Sequence, residues 1–178
     1  MEGPDTRGID CALIYDPQQF TLSSVKLAPY QTVDNDTTYK TRGFLMVRGR
    51  IAREKVCIIV NHWPSRGAAS PARVRAAEQV KILTDSIRKK DKKVKIIVMG
   101  DMNDDPMDES MAIALSARKH REEVEKKDFY NPWWVTLEDE GIGTLLYRGK
   151  WNLFDQIVVS DNMLGKKKLR YDSNEVFI

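Results

Sequence analysis

Three short polar segments each border a run of apolar residues, and each carries side chains that handle protons or anions. They are Asn61-His62-Trp63-Pro64-Ser65-Arg66 after Val60, Gly100-Asp101-Met102-Asn103-Asp104-Asp105-Pro106 after Met99, and Phe154-Asp155-Gln156 leading into Ile157-Val158-Val159. In the second, Gly100 permits a sharp bend as the apolar run ends. Asp101 and Asn103 alternate and so project toward one side. A carboxylate there takes a proton from water or binds a hard cation, and an amide beside it holds that water or a phosphate oxygen. The set Asp101, Asp104 and Asp105 suits Mg²⁺, which takes few protein oxygens and keeps its waters. Alone, the segment reads equally well as an Asx-rich turn capping the next helix. His62 is followed by Trp63-Pro64, which fixes the loop, and by Arg66. An imidazolium and a guanidinium suit a phosphate dianion or a leaving oxygen, although a lone histidine after a strand is more often structural. Asp155 interrupts an apolar stretch, where an acid is costly unless paired. It reads either as the partner of a histidine or arginine, or as a surface carboxylate at a strand end.

The elements that must position these groups follow from periodicity. Asp10 to Asp16 reads as a strand with the apolar core Cys11 to Tyr15, ended by Pro17. Residues 29–41 are polar and turn-forming. Gly43 to Ile51 and Val56 to Val60, separated by Ala52 to Lys55, predict an antiparallel hairpin, with Val56 to Val60 buried on both faces. After a loop over Asn61 to Ser70, with Ser70 as N-cap and Pro71 in the first helical position, a helix runs to about Lys90. Its apolar stripe is Val74, Ala77, Val80, Leu83 and Ile87, and Arg73, Lys81, Arg88 and Lys89 read as a solvated basic face. Lys95 to Met99 predicts a second buried strand, Gly100 to Pro106 a loop, and Asp108 to Arg118 a short helix with Asp108 and Glu109 at its positive end. Residues 119–143 read as irregular. Thr144 to Arg148 and Leu153 to Val159 predict two strands around a Gly149-Lys150 turn, and Glu175 to Ile178 another. Strands with a helix crossing between them argue a sheet covered by helices on one face.

The chain has 178 residues, which is one domain or a large part of one at about 150 residues per domain. It contains 29 basic and 26 acidic residues for a net charge of +3, too balanced to demand a nucleic-acid partner. No run of about 18 apolar residues predicts a membrane span, and the acids Asp5, Asp10 and Asp16 are unlike a signal peptide. Cys11 and Cys57 sit in apolar runs and read as buried thiols. Composition assigns no compartment.

Taken together and in order, NHWPSR, GDMNDDP and FDQIVVS resemble three motifs of the endonuclease/exonuclease/phosphatase family, which includes deoxyribonuclease I and exonuclease III. Arg7 to Pro17, RGIDCALIYDP, is similar to a strand near the middle of many bacterial members. The resemblance implies a deoxyribonuclease I-like α/β/β/α sandwich, present here mainly as one mixed sheet with helices on one face. It also implies Mg²⁺-dependent (alternatively Mn²⁺-dependent) hydrolysis of a phosphodiester, nucleic acid among the candidates. Carried over by motif, Asp101 aligns or activates the attacking water and Asn103 holds the water or a phosphate oxygen, both near the metal. His62 bonds the phosphate or assists the leaving group, Asp155 orients a second histidine, and Arg66 and Asn61 contact substrate.

The family pattern also includes an earlier Asn and Glu and a late Ser-Asp-His. Neither is found here, and His120, in RKHREEVEKK, does not resemble the latter. The expectation is therefore a partial domain over 1–178, truncated at both ends, weakly active or inactive alone. Its exposed sheet face would favour self-association. The competing reading is a non-catalytic interaction module that keeps the fold. Around the site, Lys166-Lys167-Lys168 reads as a solvated turn, and Trp133 and Trp134 read as packed side chains in preference to base-stacking ones.

Overall fold

A computed structural model describes residues 3–32, 40–166 and 169–172. In chain order its elements are β1 (Phe20–Ala28), β2 (Phe44–Ile51), β3 (Glu54–His62), α1 (Ser70–Lys90), β4 (Lys95–Asp101), β5 (Ala117–Arg118), β6 (Phe129–Tyr130), α2 (Trp133–Glu138), β7 (Leu145–Tyr147), β8 (Lys150–Asn152) and β9 (Asp155–Ser160). Seven strands form one mixed sheet in the order β1-β2-β3-β4-β9-β6-β5, and β7 and β8 form a separate ribbon.

The hairpin of β2 and β3 forms as expected. It closes through Ala52 and Arg53, both at positive φ, the backbone a two-residue turn needs to follow strand twist. Val56 to Val60 is buried throughout. α1 then crosses to β4, which lies parallel to β3, as a helical crossover between parallel strands requires. The helix packs Ala76, Ala77, Val80 and Ile87 against Cys57, Ile59, Ile96 and Val98. A second cluster, Phe20, Leu45, Val47, Val56, Ile58 and Val60, occupies the opposite face.

Several expectations are corrected. Residues 10–16 are not a strand: they have no ladder partner among the described residues, and Ile14 is 98% exposed. Only Cys11 and Leu13 turn inward, so the segment lies over the second sheet face as a cover. The first strand is instead Phe20–Ala28. A bulge between Leu22 and Ser24 adds one residue and breaks the two-residue apolar period that would have revealed it. Ala69, not Ser70, precedes α1, and no side chain caps it. The basic face of α1 is not wholly solvated, because Arg73 and Arg88 are buried. Arg88 lies 4.8 Å from the Phe129 ring centroid and donates to the Lys127 carbonyl at 2.6 Å.

The helix expected over Asp108 to Arg118 is a single π-type turn, Ser110–Ala114. Residues 119–143, read as irregular, contain β5's parallel partner β6 and the helix α2. Trp133 is buried and donates to the Ile157 carbonyl at 3.0 Å. Trp134 is half-buried and donates to Glu138. β7 pairs with β8, not with the strand after it, and β9 enters the main sheet between β4 and β6. Cys57 is buried and Cys11 half-buried, both free, and burial pushes both thiols up. The strand expected at Glu175 to Ile178, Lys167-Lys168 and much of residues 29–41 lie outside the described residues. No helix among the described residues is long and apolar enough to cross a membrane.

One glycine controls how β4 meets β3. Gly100 has φ +125°, and a Cβ there would overlap the Asn61 carbonyl oxygen. Gly100→Ala should therefore lower stability by about 2 kcal/mol or more, through backbone strain and steric overlap together. Urea unfolding checks this: a midpoint unchanged from wild type would show that the strands tolerate a side chain.

Candidate active site

Sheet register builds the site. β3 and β4 run parallel and β9 antiparallel, so the C-terminal ends of the first two and the N-terminal end of the third share one edge. Within that edge His62 pairs with Asp101 in the ladder, and Asp101 pairs with Asp155. Three residues taken from three distant segments thus stand in one row on one face. His62 Nε2 lies 3.5 Å from Asp101 Oδ2, and both side chains are about one-third exposed, at 37% and 33%. All three residues lie within strands, not in the loops that follow.

The loops behind the row are held from inside. The Asp101 carboxylate accepts the Asn103 backbone N–H at 2.9 Å. Asn103 is buried, with φ +52°, a conformation asparagine tolerates. Its side-chain nitrogen donates to the Trp63 carbonyl at 3.0 Å, so only its amide oxygen is chemically able to ligate a cation. Trp63 is itself buried; its backbone N–H reaches the Asp101 carbonyl at 3.0 Å and its indole N–H reaches Asn61 Oδ1 at 3.3 Å.

Not every expected site residue faces the row. Asn61 is 2% exposed, and its amide donates to the Ile59 and Met99 carbonyls, so it braces the strand ends and is not placed to touch substrate. Arg66 donates four hydrogen bonds, to the Asn103 carbonyl, Asn152, Asp105 and Asp108, and stacks 4.4 Å from the Phe154 ring centroid. It ties three loops together while its side chain stays 42% exposed. The acidic trio also divides. Asp104 is buried between Arg73 (2.7 Å) and Ser110 (2.7 Å). Burial pushes its carboxyl up, opposed by those two bonds. Asp105 accepts the Leu153 N–H at 2.7 Å and pairs with Arg66. Of the three, only Asp101 is presented to the row. Among the described residues no group of three or more His, Cys, Asp or Glu side chains gathers as a metal cluster. Asp155 faces Asp101 in place of a second histidine; His120 lies in another segment, its backbone N–H bonded to Glu123.

Two arginines outside the three motifs complete the electrostatics. Arg42, buried just before β2, donates to the Trp63 carbonyl at 3.3 Å and pairs with Asp5 at 3.4 Å. Its Nε is buried without a hydrogen-bond partner among the described residues. Arg7 grips the same Asp5 carboxylate through Nε and Nη2. The His62 pKa lies below its ordinary value because of burial first, then the Arg42 charge, against the opposing pull of Asp101 and Asp155. Periodicity gave no sign of Asp5 or Arg42, because their pairing spans 37 residues.

A sequence profile described as the Endonuclease/Exonuclease/phosphatase family matches residues 1–178. No curated protein sequence matches the chain. Among solved structures, the human Nocturnin catalytic domain with bound sulfate aligns at 17% identity and TM-score 0.57, covering 80% of this chain and 49% of that one. ANGEL2, a 2′,3′-cyclic phosphatase, aligns at 11% identity and TM-score 0.60, with 80% and 56% covered. The D. rerio TDP2 complex with single-strand DNA product aligns at 11% identity and TM-score 0.53, with 84% and 57% covered. The chain spans about half the length of these structures, and the likeness establishes a shared deoxyribonuclease I-like fold.

The Asp5 clamp generates a pH prediction. Two guanidinium hydrogen bonds and then the backbone N–H of Arg7 hold the Asp5 carboxyl far below the usual carboxylate range, burial opposing. A depressed carboxylate contributes stability that is present above its unfolded pKa, about 3.9, and is lost as pH falls through the folded value. Asp5→Asn should lower stability by about 2 kcal/mol near neutrality and flatten the fall in urea midpoint below about pH 4. A variant with the wild-type acid limb would refute the clamp.

Proposed function

The chain belongs to the endonuclease/exonuclease/phosphatase family, and from that premise we propose a metal-dependent phosphodiesterase in which Asp101 serves the attacking water. The observation that carries this is the row His62–Asp101–Asp155 across three neighbouring strands. Two carboxylates directly opposite each other on adjacent strands repel unless a positive charge lies between them. Both sit at an accessible sheet edge, and one or two carboxylates with water are the donor set Mg²⁺ prefers. The donor chemistry of Asp101, with the Asn103 amide oxygen beside it, suits a divalent cation; Mn²⁺ would accept the same oxygens. Such a cation, when bound, supplies charge stabilisation to the phosphoryl oxygens.

Each protein group then has a defined task. Asp101, braced by the Asn103 N–H, accepts a hydrogen bond from the nucleophilic water and draws its proton as the oxygen approaches phosphorus in line. His62, whose pKa burial and then the Arg42 charge lower, presents an N–H donor to a phosphoryl or leaving oxygen. Arg42 and Arg7 add positive potential beside it. Nucleic acid is the first substrate class to test. We read the chain as the C-terminal portion of a longer family domain. Leu22, Val25 and Ile157, each about 40% exposed on the second sheet face, mark where another half or a second copy would pack.

The test uses the full-length protein with bis-p-nitrophenyl phosphate and plasmid DNA. Turnover should vanish in EDTA and return with Mg²⁺. Asp101→Ala should lower kcat by at least about 100-fold while circular dichroism and thermal midpoint stay at wild type. Hydrolysis unaffected by EDTA, or a fully active Asp101→Ala, overturns the proposal.

A further inference from the structure

The far end of β9 carries a concentration of positive charge that the site does not use. β9 begins at Asp155 in the row and ends at Ser160, so the turn that follows, Asp161–Met163, lies roughly 20 Å from the row at about 3.3 Å per strand residue. That turn, the end of α1 and the loop before β6 enclose a cavity of about 590 Å³, a size that admits a small molecule. Five cations line it, Arg88, Lys89, Lys92, Lys126 and Lys127, against two carboxylates, Asp85 and Asp161. The net charge of +3 in this one recess equals that of the whole chain.

The wall of the recess is built from buried charge. Arg88 is 7% exposed, with Asp161 at 3.5 Å and Asp85 at 3.9 Å from its guanidinium. Lys81 Nζ donates to the Lys127 carbonyl at 2.8 Å, beside the Arg88 bond to the same oxygen, and the Lys127 N–H bonds Asp161 Oδ2 at 3.2 Å. These bonds hold Lys127 at φ +77°, a left-handed backbone that is uncommon for a residue with a side chain. Burial and then the Arg88 charge lower the Lys81 pKa, as positive charge in excess would. Both carboxylates are engaged by Arg88 and Lys127. Lys89, Lys92 and Lys126 are exposed and make no ion pair among the described residues. Cations in the last turn of a helix complement its dipole, but Lys92 lies beyond α1 and Lys126 and Lys127 come from another loop. A nucleic-acid strand is met by cations spread along a groove. Here they converge from separate segments on one recess, which suits a compact anion with several phosphoryl groups.

We propose that this recess binds a small soluble anion carrying clustered phosphoryl groups, with Lys89, Lys92, Lys126 and Lys127 as its contacts and Arg88 as its fixed wall. The recess is separate from the row, and its ligand does not depend on the reaction proposed there. The test is isothermal titration calorimetry of the full-length protein with inorganic triphosphate in EDTA. The double variant Lys92→Gln, Lys126→Gln should weaken binding about 10-fold or more. The double variant Lys90→Gln, Lys93→Gln removes the same charge from exposed positions outside the recess. It should stay within about 2-fold of wild type, because salt screens distant exposed charges. His62→Ala should bind as wild type. The proposal falls if triphosphate does not bind, or if the two double variants weaken it equally, which is diffuse attraction only. It also falls if His62→Ala abolishes binding, which would put the anion in the row. Vesicles containing phosphatidylinositol bisphosphate form the last arm: a protein that binds them but not free triphosphate overturns the soluble ligand.

Discussion

The close approach of β4 to β3 at Gly100 governs everything that happens at the sheet edge. Because that residue lacks a Cβ and takes a positive φ, the β4 backbone passes directly against the Asn61 carbonyl and the parallel ladder continues for one more pair. That last pair is His62 with Asp101. The antiparallel entry of β9 then adds Asp155 to the same row. Loosening this contact would not remove a catalytic group. It would let three groups from three segments drift out of register, and positioning errors of an ångström are enough to cost rate.

Around that edge, the chain separates its charges by burial. A carboxylate out of water must be paired, and the loops use arginines for it: Arg73 on Asp104, Arg66 on Asp105, Arg42 and Arg7 on Asp5. Asp101 and Asp155 are left at the accessible edge, facing one another. The same economy explains the Trp63 carbonyl, which collects both the Arg42 guanidinium and the Asn103 amide and so locks two loops to one atom. Buried polar groups that are fully engaged in this way rigidify a site. That rigidity is what lets a pair of like charges persist at the rim. The β7–β8 ribbon extends the logic outward: its base is bonded to the Asp155 backbone, while its aromatic and cationic side chains remain available to solvent.

How much of this the residues disclosed differs by element. The β2–β3 hairpin, α1 and β4 were legible because their apolar periods run unbroken and end in turn or capping residues. The three motifs were legible as a set because their types and order match a known family. The bulged β1 was hidden by one added residue, and residues 10–16 misled because an apolar run shows hydrophobicity but not whether a neighbouring strand is available to it. β5 and β6 are two residues each, too short for any period.

Sequence by itself determined the family, the identity of His62, Asp101 and Asp155 as the candidate acids and base, and the apolar runs they adjoin. Those properties are local: they reside in residue type and in spacing within one segment. Only the tertiary structure decided that these three stand in one row, that Asp104, Asp105, Asn61 and Arg66 serve the scaffold, and that Asp5 and Arg42 join the site from dozens of residues away. Burial and partner choice are properties of pairs brought together by folding, and an isolated stretch of sequence does not contain them.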